Sequence, residues 1–194
     1  VYAMPQNSYQ CVAQAVGTQR SRGDLVIWLD HDDELFPDAL AEVAAAWPLL
    51  RDDHTIGALV FQALDPASGK PIGGSLSPGL RYSASEAFNR FPECSDATIA
   101  YRGDLLRGIA TVEAMEPLVL NFPVTVRATR RHDFLLVDAP PVRFYHRDNP
   151  ASQTLHERLS RKTVSSYAII LDLADRHYLR HPLTWLRHIA TMLR

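Results

Sequence analysis

Asp30, Asp32 and Asp33 fall within four consecutive residues, with His31 between the first two. Carboxylates this close repel one another and lose hydration if the chain packs around them, so something must neutralise them. A hard divalent cation suits that task. Mg²⁺ or Mn²⁺ takes one or two carboxylates and fills its remaining positions with water and phosphate oxygens. Asp33 has a second reading, because a carboxylate ahead of a helix stabilises the helix N-terminus. His31 reads as a solvated or stacking residue.

The acids need a rigid support on each side. Leu25 to Leu29 is a hydrophobic run rich in β-formers and too short for a helix. It reads as a strand over 25–30, buried on both faces in the middle of a parallel sheet. Pro37 stands where the first turn of an alanine-rich helix over 37–50 begins. The acids would then lie at the carboxyl end of a central strand, where open α/β sheets bind ligands.

These residues carry a resemblance. Leu29-Asp-His-Asp-Asp-Glu-Leu-Phe-Pro-Asp-Ala-Leu40 resembles the D-x-D segment of family 2 glycosyltransferases. Upstream, Asn7 through Gly23-Asp24 resembles the family's helix of small residues that ends in Gly-Asp just before the strand. Downstream, Phe144-Tyr-His-Arg-Asp-Asn-Pro-Ala-Ser-Gln-Thr154 is similar to the family's tyrosine-arginine segment and its Ser-x-Thr helix start. The resemblance spans roughly residues 5 to 165 and is strongest over 23 to 40.

The resemblance implies an α/β fold of the A-type, Rossmann-like, with a mixed, mainly parallel sheet flanked by helices. Residues 1–150 would be part of a catalytic domain, and residues 151–194 a C-terminal helical extension. The family places two or more βα units, which hold the nucleotide base, ahead of the D-x-D strand. Their absence here leads us to expect a fragment or a processed piece of a longer enzyme. The implied activity is metal-dependent transfer of a sugar from a nucleotide-sugar donor to an acceptor hydroxyl, with inversion. The acceptor would be a carbohydrate, a lipid-linked sugar or a polymer, in polysaccharide, cell-envelope or glycoconjugate synthesis.

The same resemblance suggests roles for single residues. Asp30 would contact the ribose or the metal, and Asp32 would coordinate the Mn²⁺ or Mg²⁺ that bridges the diphosphate. His146 is a candidate third metal ligand, and Arg147 a candidate phosphate ligand with paired hydrogen bonds. The family carries a Glu-Asp pair whose Asp is the general base. This chain reads Glu113-Ala-Met-Glu116-Pro there and lacks the pair. Glu116, followed by Pro117 as in a first helical turn, is the candidate base, with Glu113 in reserve. Two other readings compete. One is a truncated, non-catalytic binding or scaffold member of the same fold. The other is a Mg²⁺-dependent phosphoryl-transfer enzyme, disfavoured by the lack of a P-loop.

Composition narrows the classes. A chain of 194 residues can build one domain with a real core. A net charge of −2 gives no bulk attraction to nucleic acid. Cys11 and Cys94 are too few for a disulfide scaffold and read as reduced thiols, which fits the cytoplasm. The basic tail from Arg176 to Arg194 interleaves Trp185, Leu186, Ile189 and Leu193 with Arg and His. That pattern suits peripheral attachment to the inner face of a membrane. An ordinary amphipathic helix packed on a neighbour fits it as well.

Patterning supplies the remaining elements: a helix over 8–19, a strand over 55–64, a turn over 65–70 and an exposed loop over 71–82. A capping box at Ser83 and Glu86 predicts a short helix. Strands are expected over 96–102, 134–137 and 142–145, and a turn or short helix over 103–108. Residues 115–127 read as either helix or strand. Helices are expected over 152–180 and 183–193, and Trp47-Pro48 should bend or shorten the helix over 37–50.

Overall fold

The computed structural model describes residues 2–4, 9–72, 79–82, 97–118 and 121–146, with helical positions 183 and 186. The expected cap at Ser8, the helix after Ser83, Cys94 and the helix over 152–180 lie outside those residues. So does the boundary at 150.

Two sheets organise the described residues. The larger contains β1 (Leu25–Ile27), β3 (Ile56–Phe61), β5 (Arg81–Tyr82), β6 (Thr98–Arg102) and β7 (Asp133–Leu136), in the order β1-β6-β3-β7-β5. Among the described residues of this sheet, only β3 and β7 pair in parallel, and the other three pairings are antiparallel. The sheet is mixed and flanked by helices, as expected, but it is not mainly parallel. Parallel pairing needs a crossover that returns the chain to its starting end, and the apolar character of a strand does not encode its direction. Nor is β1 central. Among the described residues it forms one edge of the sheet, and it stops at Ile27, short of the expected residue 30.

Successive side chains of a strand point to opposite faces. Val26 and Trp28 therefore join one core cluster, while Leu25 and Ile27 join the other. The first cluster lies beneath α1 (Tyr9–Arg20), α3 (Gly103–Ile109), α4 (Val112–Met115) and α5 (Phe122–Thr129). The second lies beneath α2 (Ala39–Arg51), which contributes Val43, Ala46 and Leu50 against Leu59 and Phe61. An open groove lined by Leu25, Ile27, Leu29, Leu35, Leu40 and Val43 runs between the β1 edge and α2.

α2 continues through Pro48 to Arg51, so Trp47-Pro48 does not shorten it. Arg102, buried, donates to the carbonyls of Leu50, Asp53 and Ile56 and ties the end of α2 to the start of β3. A cation there also complements the negative end of the helix dipole. The segment read as helix or strand resolves into α4 and α5. Pro123 stands in the first turn of α5, where a missing N–H is harmless, and Val124 and Val126 are buried in that helix.

A second, small sheet joins β2 (Glu34–Leu35), β8 (Arg143–Phe144) and β4 (Ala63–Leu64), in the order β2-β8-β4. The stretch expected as one strand over 55–64 is thus divided between the sheets. The turn after it forms as expected, with Asp65 accepting from Ala67 N–H and Ser68 Oγ, and Gly69 at φ 65°. The loop expected over 71–82 ends instead in the short strand β5.

The register of β3 on β7 shifts between Ile56 and Ala58. That irregularity turns Ile56 to the α2 face with Leu59 and Phe61, while Ala58 and Val60 face the other cluster. Gly57 sits at the shift. A Cβ there would come within 2.6 Å of His132 Cβ and 2.7 Å of Leu105 Cδ2. Gly57→Ala should destabilise the fold by about 1–3 kcal/mol in urea unfolding, the usual range for overpacking a close-packed site.

Candidate functional site

β1 delivers the chain to the acids along a fixed path. Trp28 donates from Nε1 to Thr18 Oγ1 at 2.9 Å, and its ring lies 5.5 Å from that of Tyr101. Two residues further on, the N–H of Asp33 donates to the carbonyl of Asp30 at 3.1 Å. That bond closes a tight turn with His31 and Asp32 at its centre, so one turn presents all three carboxylates. His31 is exposed at the tip.

The three acids have different surroundings. Asp30 is half-buried, and Gln10 of α1 donates from Nε2 to its Oδ1. Burial raises the pKa of Asp30; Arg143 pulls it down, and the nearby negative charge of Asp32 pushes it up. The Asp33 side chain is almost completely enclosed. Arg143 Nη1 lies 2.7 Å from its Oδ2, and the backbone N–H of His146 donates to Oδ1 at 3.3 Å. Burial pushes Asp33 upward too, and Arg143 offsets that in part. Asp32 is half-buried between them.

The small sheet fixes this arrangement. Leu35 of β2 is in register with Arg143 of β8, and Glu34 with Phe144. Phe36 donates from its N–H to the carbonyl of Val142 at 3.0 Å, and its ring lies 4.0 Å from that of Phe144. Asp33 therefore does not cap the following helix. Asp38 holds the N-cap position of α2, without a side-chain cap bond.

Of the residues singled out in the sequence, Asp30, Asp32 and His146 come together around Asp33. The His146 contact is made by its backbone, and its side chain is exposed. Arg147 lies outside the described residues. Glu113 is exposed in the first turn of α4, where hydrogen bonds to its own backbone N–H and to Thr111 lower its pKa. Glu116 is exposed at the C-terminal end of the same helix. Pro117 follows that helix and does not open one. Among the described residues, no hydrogen bond or ion pair joins either glutamate to the acidic turn.

Arg143 and Gln10 are the two contacts that sequence reasoning missed. Arg143 had a signal: a lone cation inside the apolar strand pattern Val142-Arg143-Phe144 must find a buried anion. Gln10 had none beyond its spacing from Gln14 and Thr18 on one side of α1.

Among the described residues, no three carboxylate, imidazole or thiolate groups converge to hold a metal ion by themselves. The donor set nonetheless fits Mg²⁺ or Mn²⁺ as these ions are usually held, by one or two carboxylates with phosphate oxygens and water. Asp30 and Asp32 supply that pair, while Asp33 is occupied by Arg143.

An α/β chain with acids at the end of a strand belongs among ligand-binding α/β proteins, and the sequence comparison narrows the class. The model of glycosyl transferase family 2 matches residues 1–106, which run from α1 through the acidic turn into α3. The chain belongs to that family, with glycosyltransferase activity and donor and acceptor binding as its general function. No curated protein matches the chain.

The raised pKa of Asp30 makes a stability prediction. A carboxyl that holds its proton more tightly when folded loses stability for the fold as pH rises through the ordinary carboxylate range to the raised value. Asp30→Asn removes that loss and still accepts a hydrogen bond from Gln10. The variant should melt higher than the parent at pH 7 without added metal. The difference should vanish below pH ~3, where the parent carboxyl is protonated in both states.

Proposed function

We propose that the acidic turn holds the diphosphate of a nucleotide-sugar donor through Mn²⁺ or Mg²⁺, and that the enzyme transfers the sugar to an acceptor hydroxyl with inversion. The observation that carries this reading is the unequal treatment of the acids. Asp33 is enclosed with Arg143, which leaves Asp30 and Asp32 as a carboxylate pair at one turn. Asp30 and Asp32 would hold the cation, which supplies Lewis-acid neutralisation of the leaving diphosphate.

The chain's own residues do the rest. Gln10 orients Asp30, and the small sheet keeps the turn from collapsing onto the body of the protein. By the family resemblance, His146 would serve as a third ligand of the cation, and Arg147 would hold a donor phosphate with paired hydrogen bonds. Glu116 takes the proton of the acceptor hydroxyl, with Glu113 as the alternative. The acceptor oxygen bonds to the anomeric carbon as the bond from that carbon to the phosphate oxygen breaks on the opposite face.

The acceptor class we favour is a carbohydrate, a lipid-linked sugar or a polymer, used on the cytoplasmic side. No described helix is long and apolar enough to cross a membrane. Leu183 and Leu186 are helical, exposed and three residues apart, hence on one helix face, which supports contact of that face with a membrane surface.

Two variants test the reading. Calorimetric titration of the chain with UDP and GDP in the presence of Mn²⁺ should show metal-dependent binding that Asp32→Asn abolishes, with the melting temperature retained. Metal-independent binding, or unchanged affinity in the variant, contradicts the role of Asp32. Glu116→Gln should keep donor affinity and lower turnover by about 10²–10⁴-fold, the usual contribution of a general base.

A further inference from the structure

We propose that the outer face of α2 is a self-association surface: two copies of this chain pack α2 against α2, antiparallel, about a two-fold axis between Ala44 and Ala45. This inference is independent of the metal and donor reading above.

The composition of α2 poses the question. From Ala39 to Leu50 the helix carries one polar side chain, Glu42. A helix that is apolar all round is normally covered all round. Ala39, Val43, Ala46 and Leu50 are buried on the inner side. By the helical period, Ala41, Ala44, Ala45 and Pro48 lie on the opposite side, and all four are exposed. Leu40 and Leu49 flank that crest, 65% and 48% exposed. About three turns of helix thus show a continuous apolar face to solvent.

The charges around the face choose its occupant. Asp38, Glu42 and Asp52 border it, against one cation, Arg51, which already pairs with Asp52 at 2.7 Å. Attachment to anionic lipid needs a basic border, so the face does not suit a membrane. A second copy suits it. With the axis between Ala44 and Ala45, Leu40 stands level with Leu49 of the second copy, and Ala41 with Pro48. The same register sets Asp38 level with Arg51 of the second copy. The alanines let the two backbones approach, and the leucines brace the flanks. Arg51 uses Nε and Nη2 for Asp52. Among the described residues its Nη1 makes no hydrogen bond, so the guanidinium has a donor left for Asp38 of the second copy. Each contact occurs twice, as an isologous pair requires.

α2 has 13 residues and is about 20 Å long. Because the two helices run in opposite directions, the two acidic turns, each just ahead of α2, fall at opposite ends of the contact. One helix face is small for an interface, which sets the pair at the weak, concentration-dependent end of the range.

Sedimentation equilibrium of the whole chain, from about 1 to several hundred micromolar, tests the proposal. The parent should pass from monomer to dimer and no further, because a two-fold contact closes. Ala45→Glu sets two carboxylates beside the axis and should weaken the dimer by about tenfold or more. Its melting temperature should match the parent's, since the site is exposed. If it melts lower, Leu49→Gln carries this arm with a smaller loss. Asp38→Lys and Arg51→Glu should each weaken the dimer by about two- to fivefold, and the double variant should recover it. General stickiness of an apolar face predicts no such recovery. A parent that stays monomeric overturns the proposal; if it then binds phosphatidylserine vesicles and Ala45→Glu abolishes the binding, the face belongs to a membrane. A dimer indifferent to both Ala45→Glu and Leu49→Gln overturns it as well. Failure of the double variant to recover overturns the antiparallel register.

Discussion

Mutual repulsion among Asp30, Asp32 and Asp33 is the constraint around which this part of the fold is built. Three negative charges in one turn would splay the chain unless each had a fate, and the structure gives each a different one. Asp33 is paired internally with Arg143, and Asp30 accepts from Gln10 and stays half-buried. Asp32 lies between them. The two supporting side chains come from opposite ends of the described chain, one on α1 and one on β8. The turn is therefore held by tertiary structure, and its own four residues could not hold it.

The mixed sheet makes that possible. β1 carries apolar residues to both core clusters although it lies at an edge, so the strand leading to the acids is anchored above and below. β3 and β7 run alongside each other in parallel, and the chain leaving each continues into the small sheet as β4 and β8. That places β8, with Arg143, against β2 immediately after the acids. At the far end, Arg102 fastens α2 to β3, so the helix that follows the acidic turn is fixed at its last turn. Ordering a polar turn in this way opposes folding, and the apolar packing on both faces of the sheet offsets it.

Local features were legible in the sequence because their causes are local. The apolar run before the acids, Pro37 before α2, the Asp65 turn and the acids themselves are set by residue type and spacing. What was not legible depends on partners far along the chain. Asp33 could be read as a helix cap because its true partner lies 110 residues away. Strand direction was misjudged because an apolar run specifies burial and not orientation. Glu116 was placed at a helix start because Pro117 favours first turns, whereas the one-turn helix α4 begins at Val112 and ends before that proline.

The central claim is that the turn presents a carboxylate pair that takes up a divalent cation together with a diphosphate. Electron–nuclear double resonance on Mn²⁺, with the chain and UDP both present, tests it directly. The account predicts a protein-bound Mn²⁺ spectrum with phosphorus coupling that requires chain and nucleotide together and disappears when Asp30 and Asp32 are both replaced by Asn. A spectrum indistinguishable from that of Mn²⁺ and UDP in buffer would contradict it.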